Sequence, residues 1–267
     1  MQPITFTSCQ AEIAECSCRA LAGYVAERLD RPTEFVGDIP WQERERRLDV
    51  GAIDVGWICG APYVWKVDCA KAPIELLAAP IMAGARYRGR PVYYSDVVVC
   101  AASPFQSFAD LRGAAWAYND SHSHSGYQVV RYALAARDLT AGYFGRVVEA
   151  GAHQAALQLI LDRQVDAAAI DTTVLDLLFA RDPELQGQLR VVETFGPSPI
   201  PPWVVGLHVA PDLRRSLRDL LLHMHKDLHG LAILAAGQIA RFAPVADTDY
   251  DPIRQMLKAG ADVIFDL

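Results

Sequence analysis

Short apolar runs alternate with longer amphipathic stretches from the beginning of the chain. Within Glu12–Leu29 the apolar residues recur at helical spacing, and the Asp-Arg-Pro sequence that follows is a helix-stop signal. The runs between such stretches are short and apolar, which is typical of β-strands. The pattern therefore predicts, in order, strand Ile4–Cys9, helix Glu12–Leu29, strand Glu34–Val36, helix Trp41–Leu48, strand Ile53–Cys59, a helix opening at Gly60, and strand Ile74–Ile81.

The same rhythm continues through the middle of the chain. The long apolar run Val92–Ala101 predicts a buried strand. The apolar side of a later helix is marked by Val129, Val130 and Leu134. The further predicted elements are strands Ala114–Tyr118, Ala167–Ile170 and Leu189–Thr194, and helices Ser107–Leu111, Tyr127–Ala136, Gln154–Leu161 and Thr172–Ala180.

Strands that alternate with helices predict parallel pairing through crossover helices, and therefore an α/β fold. Two such blocks are visible, at residues 1–91 and 92–192. The remainder offers one strand, Trp203–Val209, and mostly helix from Asp212 to Ala240, which is too little for a further lobe. We therefore expect a two-lobed protein in which residues 1–91 and 193–267 form lobe 1 and residues 92–192 form lobe 2.

Composition supports a folded protein and limits its partners. Apolar residues make up 52% of the 267 residues, which excludes a disordered chain. The formal net charge of −7 provides no basic surplus to neutralise phosphates, so a nucleic-acid partner is not expected.

Membrane and export signals are weak in this sequence. The longest apolar runs, such as Val97–Ala102 and Leu231–Ala236, are far shorter than the roughly 20 residues of a membrane-spanning helix. We therefore expect no membrane insertion. The first residues lack the basic start and continuous apolar stretch of a secretory signal, so we expect either a periplasmic protein whose signal has been removed or a cytoplasmic protein.

Cysteine and histidine spacing does not predict a metal site. Six cysteines in 267 residues are too sparse for a disulfide-stapled scaffold. Cys16-Ser-Cys18 has no second Cys or His pair at zinc spacing. His225 and His229 share a helix face, but without a Glu partner they are better explained as solvated positions. We expect no metal and no other cofactor.

A polar segment rich in serine and histidine precedes the helix that opens at Tyr127. It reads Asn-Asp-Ser-His-Ser-His-Ser-Gly over residues 119–126. The first N–H groups of a helix have no internal partner, and the helix dipole adds positive potential there. Serine hydroxyls beside such amides can bind an oxyanion. An ordinary serine N-cap fits the same segment, so both interpretations stay open.

Two further positions have suitable chemistry. His153 follows Gly151 at the start of the next helix, where it can donate to an anion or cap a turn. Asp171 ends a buried strand, where ligand groups commonly lie in open α/β sheets. Asp171 equally suits the N-cap of the helix that begins at Thr172.

Several short motifs occur in a definite order along the chain. They are Asp96-x3-Cys100, Ser107-x2-Asp110-Leu111-x-Gly113, Ser123-x-Ser125-Gly126-Tyr127, Gly151-x-His153, Val165-Asp166-Ala-Ala-Ala-Ile-Asp171 and the C-terminal Val245–Ile253. In this order the chain resembles the PhnD-like phosphonate-binding proteins of ABC transporters, from about Asp54 to Ile253. The Ser-x-Ser-Gly and Gly-x-His elements together are the most specific part.

The resemblance implies a type II periplasmic-binding-protein fold, with two α/β lobes, two hinge crossovers and no catalysis. It implies that an oxyanion in the interlobe cleft is held by the Ser-x-Ser helix start and by the helix-start histidine. It also implies that a tyrosine of the strand that enters lobe 2 and an aspartate after a buried strand contact the ligand. The corresponding residues here are Ser123, His124, Ser125, Gly126, His153, Asp171 and Tyr94, which we prefer to Tyr93.

Aromatic residues of the first lobe could contact the part of the ligand that is not the oxyanion. Trp57, Tyr63 and Trp41 would form a wall for a flat or apolar ligand tail. Trp203 stands in the proline-rich crossover where an acidic residue could bind a ligand amine. We therefore expect Trp57, Tyr63 and Trp203 to contact the ligand, and we do not expect an aminoalkyl ligand.

The expected function is capture of a phosphonate, phosphite or phosphate-like anion for an ABC transporter permease. Two alternatives stay open. One is a cytosolic ligand-binding sensor, and the other is an enzyme on the same fold acting on a small heterocyclic or phosphorylated compound, which Cys9 and the aromatic wall suggest. A hydrolase is not favoured, because Ser123, His124 and Asp120 could form a triad only if a short loop folded on itself.

Overall fold

The computed structural model describes residues 2–69, 71–139 and 142–264. Within these ranges the chain forms two compact units. Unit 1 contains the chain up to Val92 and Pro199–Tyr250, and unit 2 contains Tyr93–Ser198 and the chain from Asp251 onward. No helix in these ranges has the length and the apolarity to cross a membrane.

The first part of unit 1 alternates strands and helices, as the apolar pattern predicts. The longest helix buries Leu21 and Val25, and it ends at Asp30, whose φ of 46° is left-handed. The elements are β1 (Ile4–Ser8), α1 (Glu15–Leu29), β2 (Thr33–Val36), α2 (Trp41–Asp49), β3 (Val55–Trp57), α3 (Gly60–Asp68) and β4 (Ile74–Met82).

The next part of the chain builds unit 2. A 3₁₀ turn over Phe108–Leu111 follows the first strand, and a π-helical turn over His124–Gln128 leads directly into a helix. The elements are β5 (Val92–Cys100), β6 (Ala115–Tyr118), α4 (Val129–Ala135), β7 (Arg146–Glu149), α5 (His153–Leu161), β8 (Ala167–Asp171), α6 (Thr172–Arg181), α7 (Pro183–Gln188) and β9 (Leu189–Pro199).

The last part of the chain contains more strand than the sequence predicted. Instead of one mostly helical stretch from Asp212 to Ala240, two helices are followed by a strand. Gly237 ends the second helix, and Gln238 has a left-handed φ of 55° that turns the chain into the strand. The elements are β10 (Trp203–Gly206), α8 (Pro211–His223), α9 (Leu228–Ala236), β11 (Ile239–Ala243) and α10 (Asp251–Ala259).

The described strands of unit 1 form one sheet in the order β11-β4-β10-β3-β1-β2. β1 pairs in parallel with β2 and β3, as expected. β10 is antiparallel to both β3 and β4, and β11 is antiparallel to β4. The expectation of parallel pairing is therefore wrong for this side of the sheet, because the returning strand β10 inserts between β3 and β4.

The described strands of unit 2 form a sheet in the order β7-β6-β8-β5-β9. β6 pairs in parallel with β7 and β8, whereas β5 is antiparallel to β8. The carboxyl ends of β6, β7 and β8 therefore lie at the same edge of the sheet, which is where open α/β sheets bind ligands. β7 was not predicted, because its four residues are charged at both ends and half-exposed, so they form no apolar run.

The C-terminal segment groups with unit 2, whereas we expected all of residues 193–267 in the first lobe. β9 continues to Pro199 beside β5, which keeps residues up to Ser198 in unit 2. α10 packs against α4, and its Ile253 is fully buried. Arg131 Nε also donates a hydrogen bond to the carbonyl of Val263 at 2.8 Å. These contacts account for the placement of the chain after Tyr250.

Trp116 lies in the core of unit 2. It is fully buried on β6, and its ring stacks on Phe144 with the ring centroids 4.4 Å apart and the planes 17° apart. Phe108 meets the same indole edge-on, with the centroids 6.4 Å apart. Because β6 leads into the serine-rich segment, the packing of Trp116 fixes the strand from which that segment begins.

Replacing Trp116→Ala should lower the free energy of unfolding by about 3–5 kcal/mol, because it removes a buried indole and leaves a cavity. Val191→Thr is a control at a strand position that is 46% exposed. It should change the free energy of unfolding by less than about 0.5 kcal/mol. Urea unfolding followed by circular dichroism measures both, and equal effects would contradict the central place of Trp116 in the core.

Candidate anion-binding site

The candidate site begins where β6 ends and the chain enters the π-helical turn His124–Gln128. In this turn the N–H of Gln128 donates to the carbonyl of Ser123, with 3.0 Å between nitrogen and oxygen. Bonds of this i to i+5 type leave the N–H of Ser125 outside the hydrogen-bond ladder of the turn. π-Helical turns are frequent at functional sites, and this one presents backbone and hydroxyl donors together.

A short hydrogen-bond network connects the serines to the next helix. Ser123 Oγ accepts the N–H of Gly126 at 3.2 Å and lies 3.4 Å from Ser125 Oγ. Ser125 Oγ lies 3.0 Å from His153 Nε2, and both of these residues are buried. The structure therefore brings together Ser123, Ser125, Gly126 and His153 within unit 2.

His153 reaches this network because it is the first residue of α5, and α5 follows the carboxyl end of β7. Its Nδ1 is buried and has no hydrogen-bond partner within the described part of the chain. Burial lowers the pKa of His153 from 6.5 to about 4. The imidazole is therefore neutral at pH 7 and can donate one hydrogen bond without carrying a charge.

Asn119 is a residue of the site that sequence reasoning missed. A Cβ added to Gly126 would overlap Asn119 Oδ1 and would lie 3.2 Å from His153 Cε1. Close approach of these side chains, and not backbone conformation, therefore favours glycine at position 126. Asn119 Oδ1 is buried with no partner among the described residues. The one signal in the sequence was its position directly after the strand.

The side chain of His124 is buried on the other side of the turn. Its Nε2 lies 2.9 Å from Ser198 Oγ on β9, and its ring centroid lies 6.3 Å from that of Tyr93. Burial lowers the pKa of His124 from 6.5 to about 4. A triad of Ser123, His124 and Asp120 is not assembled, because His124 Nε2 faces Ser198. A contact between the His124 side chain and a ligand stays a prediction.

Asp171 and Tyr94 lie near each other on β8 and β5, where Ser95 is in register with Asp171. Asp171 is the N-cap of α6, because its Oδ1 accepts the N–H and the hydroxyl of Thr173, both at 2.7 Å. Burial raises the pKa of Asp171 from 3.8 to about 6. The N–H of Tyr94 donates to Thr172 Oγ1 at 3.2 Å. Their roles in ligand binding stay predictions.

The predicted aromatic wall is packed within unit 1. Trp57 and Trp203 stack with their centroids 5.7 Å apart and their planes 10° apart, and both are buried. The hydroxyl of Tyr63 donates to Asp247 at 2.8 Å, and its ring lies 4.7 Å from that of Tyr250. These contacts account for the burial of Trp57, Tyr63 and Trp203, whose contact with a ligand stays a prediction.

The groups that suggested an enzyme are not activated. Burial raises the pKa of the Cys9 thiol well above its usual range, and the thiolate, not the thiol, is the nucleophile. Ser125 and His153 form a hydroxyl–imidazole pair, but a histidine with a pKa of about 4 is a weak base at neutral pH. The site offers hydrogen-bond donors and no activated nucleophile among these residues.

Comparison with known protein families decides where this arrangement belongs. Residues 7–250 match the family model for the phosphonate periplasmic substrate-binding proteins of ABC transporters. The chain belongs to this family. Members of the phosphonate-binding family are binding proteins, so the match supports the binding interpretation of the sequence and not an enzyme on the same fold.

A curated relative is the phosphonates-binding periplasmic protein of Escherichia coli strain K12, which is 27% identical over 209 residues. The match covers 76% of this chain and 60% of the relative, so the chain spans about three fifths of the length of that relative.

Solved structures show the type II periplasmic-binding-protein fold that the sequence predicted. The binding protein component of a Pseudomonas aeruginosa ABC phosphonate transporter has a TM-score of 0.84 at 20% identity, covering 98% of this chain and 87% of that chain. PhnD1 of Prochlorococcus marinus, solved with methylphosphonate, has a TM-score of 0.84 at 14% identity, covering 97% and 98% of the two chains.

Three buried groups should make the stability depend on pH. In the unfolded chain the two histidines, His124 and His153, bind protons near pH 6.5, but in the folded chain only near pH 4. Each therefore contributes stability that is present above pH 6.5 and is lost as the pH falls toward 4. Asp171 has the opposite sign, because its contribution is present below pH 3.8 and is lost as the pH rises through about 6.

Replacing Asp171→Asn keeps an N-cap, because asparagine caps about as well as aspartate, and removes the opposing group. Between pH 6 and 4 its free energy of unfolding should fall more steeply than that of the unmodified protein. The difference is at most about 1.4 kcal/mol per pH unit. His153→Gln should give a shallower slope. Urea unfolding across this window measures the slopes, and three parallel slopes would contradict the burial of these groups.

Proposed function

We propose that this protein binds a small phosphorus oxyanion, such as a phosphonate, phosphite or phosphate, at the turn of Ser123–Gly126. The observation that carries the proposal is the hydrogen bond of 3.0 Å between Ser125 Oγ and His153 Nε2. It joins the serine turn to the first residue of α5, so two donor-bearing segments meet at one edge of the sheet.

The proposed contacts are hydrogen-bond donors. They are the Ser123 hydroxyl, the N–H of Ser125, and whichever hydrogen of the Ser125–His153 pair is not used in the bond of 3.0 Å between Ser125 Oγ and His153 Nε2. Hydrogen bonds to a charged acceptor contribute about 1.5–3 kcal/mol each. Three of them contribute about 4.5–9 kcal/mol, from which the cost of immobilising the ligand is subtracted.

The proposed biological role is inferred from the family. A protein of this family would deliver its anion to the permease of an ABC transporter, and we infer that this one does so from the periplasm. The methylphosphonate in the Prochlorococcus marinus structure has three phosphorus-bound oxygens, which are acceptors of the kind that the proposed donors require. No cofactor takes part in this proposal.

Methylphosphonate, phosphite and inorganic phosphate should each raise the melting temperature, because a ligand that binds only the folded state stabilises it. At a ligand concentration about 100-fold above the dissociation constant, the stabilisation is about 2.7 kcal/mol. Thermal-shift measurements test this, with sodium chloride at matched ionic strength as the control. If none of the phosphorus oxyanions shifts the melting temperature beyond the chloride control, the proposed ligand class is wrong.

Replacing Ser125→Ala should weaken methylphosphonate binding about 10- to 150-fold, the loss expected for one hydrogen bond to a charged group. Ser107→Ala is the matched control, because Ser107 forms a capping box with Asp110 at a 3₁₀ turn elsewhere in unit 2. Ser107→Ala should cost about 0.5–2 kcal/mol of stability and leave the affinity unchanged. Isothermal titration calorimetry distinguishes the two, and equal affinities for both variants would show that the serine turn is only a cap.

A further inference from the structure

The side chain of His124 connects the serine turn to a distant strand of unit 2. Its ring is fully buried, and its Nε2 lies 2.9 Å from the hydroxyl oxygen of Ser198 on β9. Ser198 is 74 residues away along the chain and is itself 2% exposed. A polar pair this deeply buried is costly to separate, because neither partner could recover the lost hydrogen bond from water.

Ser198 is held on its far side as well. Its Oγ lies 3.9 Å from Met256 Sδ on α10, and the ring of Tyr93 on β5 lies against the His124 imidazole at 6.3 Å. Three separate elements therefore surround the imidazole: β5, β9 and, through Ser198, α10. The position of the His124 side chain is fixed by these neighbours and not by the turn alone.

The backbone of His124 belongs to the turn that carries the donors. The carbonyl of His124 accepts the N–H of Val129, which is one of the bonds that define the π-helical turn. The residues on either side, Ser123 and Ser125, provide the hydroxyls of the network. A rigid rotation of the turn that moved these hydroxyls would also move His124 relative to Ser198.

We propose that His124 is a positioning residue, which, through its hydrogen bond with Ser198, holds the serine turn in the orientation that accepts the oxyanion. Ser198 thereby becomes a determinant of affinity that acts through His124. This inference rests on the proposed function, since it concerns the same oxyanion site.

The test compares Ser198→Ala, His124→Ala, His124→Gln and the double variant of His124→Ala with Ser198→Ala. Methylphosphonate affinity is measured by calorimetry, and stability without ligand is measured by urea unfolding. Ser198→Ala should weaken binding about 2- to 13-fold, which corresponds to the roughly 0.5–1.5 kcal/mol of a buried neutral hydrogen bond, and His124→Ala should weaken it at least as much. The double variant should bind about as well as His124→Ala alone, because both changes remove one coupling.

Rescue distinguishes positioning from general destabilisation. In His124→Gln the amide nitrogen can occupy the place of the ring Nε2, so affinity should return to within about threefold of the original, the residual expected for a small geometric mismatch. Ser103→Ala is the control, since Ser103 Oγ is also buried but has no hydrogen-bond partner among the described residues. Ser103→Ala should not change the affinity for methylphosphonate.

The outcomes separate the two proposals. If the unmodified protein binds methylphosphonate and Ser198→Ala lowers stability without changing affinity, or if the double variant is additive, the positioning role is wrong and the proposed function stands. If the unmodified protein binds no phosphorus oxyanion, both fall. Nitrogen-15 chemical shifts of the His124 ring, which should change in Ser198→Ala and not in Ser103→Ala, test the hydrogen bond itself without any ligand.

Discussion

The hydrogen bond between Ser125 and His153 is the interaction on which the proposed site depends, since it joins two segments 28 residues apart in the chain. Neither segment alone presents more than an ordinary helix start. Together they bring two hydroxyls and a neutral imidazole into one hydrogen-bond network. The pair holds because both residues are buried, where a hydrogen bond competes weakly with water.

Parallel pairing of β7, β6 and β8 makes this meeting possible. The loops that leave the carboxyl ends of neighbouring parallel strands emerge at the same edge, so the segment before α4 and the first residue of α5 lie side by side. The stacking of Trp116 on Phe144 in the core of unit 2 holds β6 in its position in the sheet. The family fold therefore supplies the frame, and a few residues at the edge supply the chemistry.

Much of this could be predicted from the sequence, because long apolar periodicities fix most strands and helices. The short strands β7 and β11 were not predicted. For β7 the reason is that Arg146–Glu149 is half-exposed and forms no apolar run. The serines and His153 were predicted from their order in the chain. The direction of the His124 side chain was not, because in a π-helical turn the usual spacing rules of an α-helix no longer say which residues share a face. Asn119 was not predicted as a site residue, because only the folded structure shows its close approach to Gly126.

The buried imidazole of His153 is neutral at pH 7, so it offers an anion no formal positive charge. The network of Ser123, Ser125 and His153 contains no arginine or lysine, so the proposed oxyanion would be attracted by dipoles at contact distance and not by a formal positive charge of these residues. Attraction between exposed charges weakens as dissolved salt shortens the screening length to about 8 Å at physiological ionic strength. Short-range donors in a buried site are hardly screened. The affinity of this network for the proposed anion should therefore depend little on screening by dissolved salt.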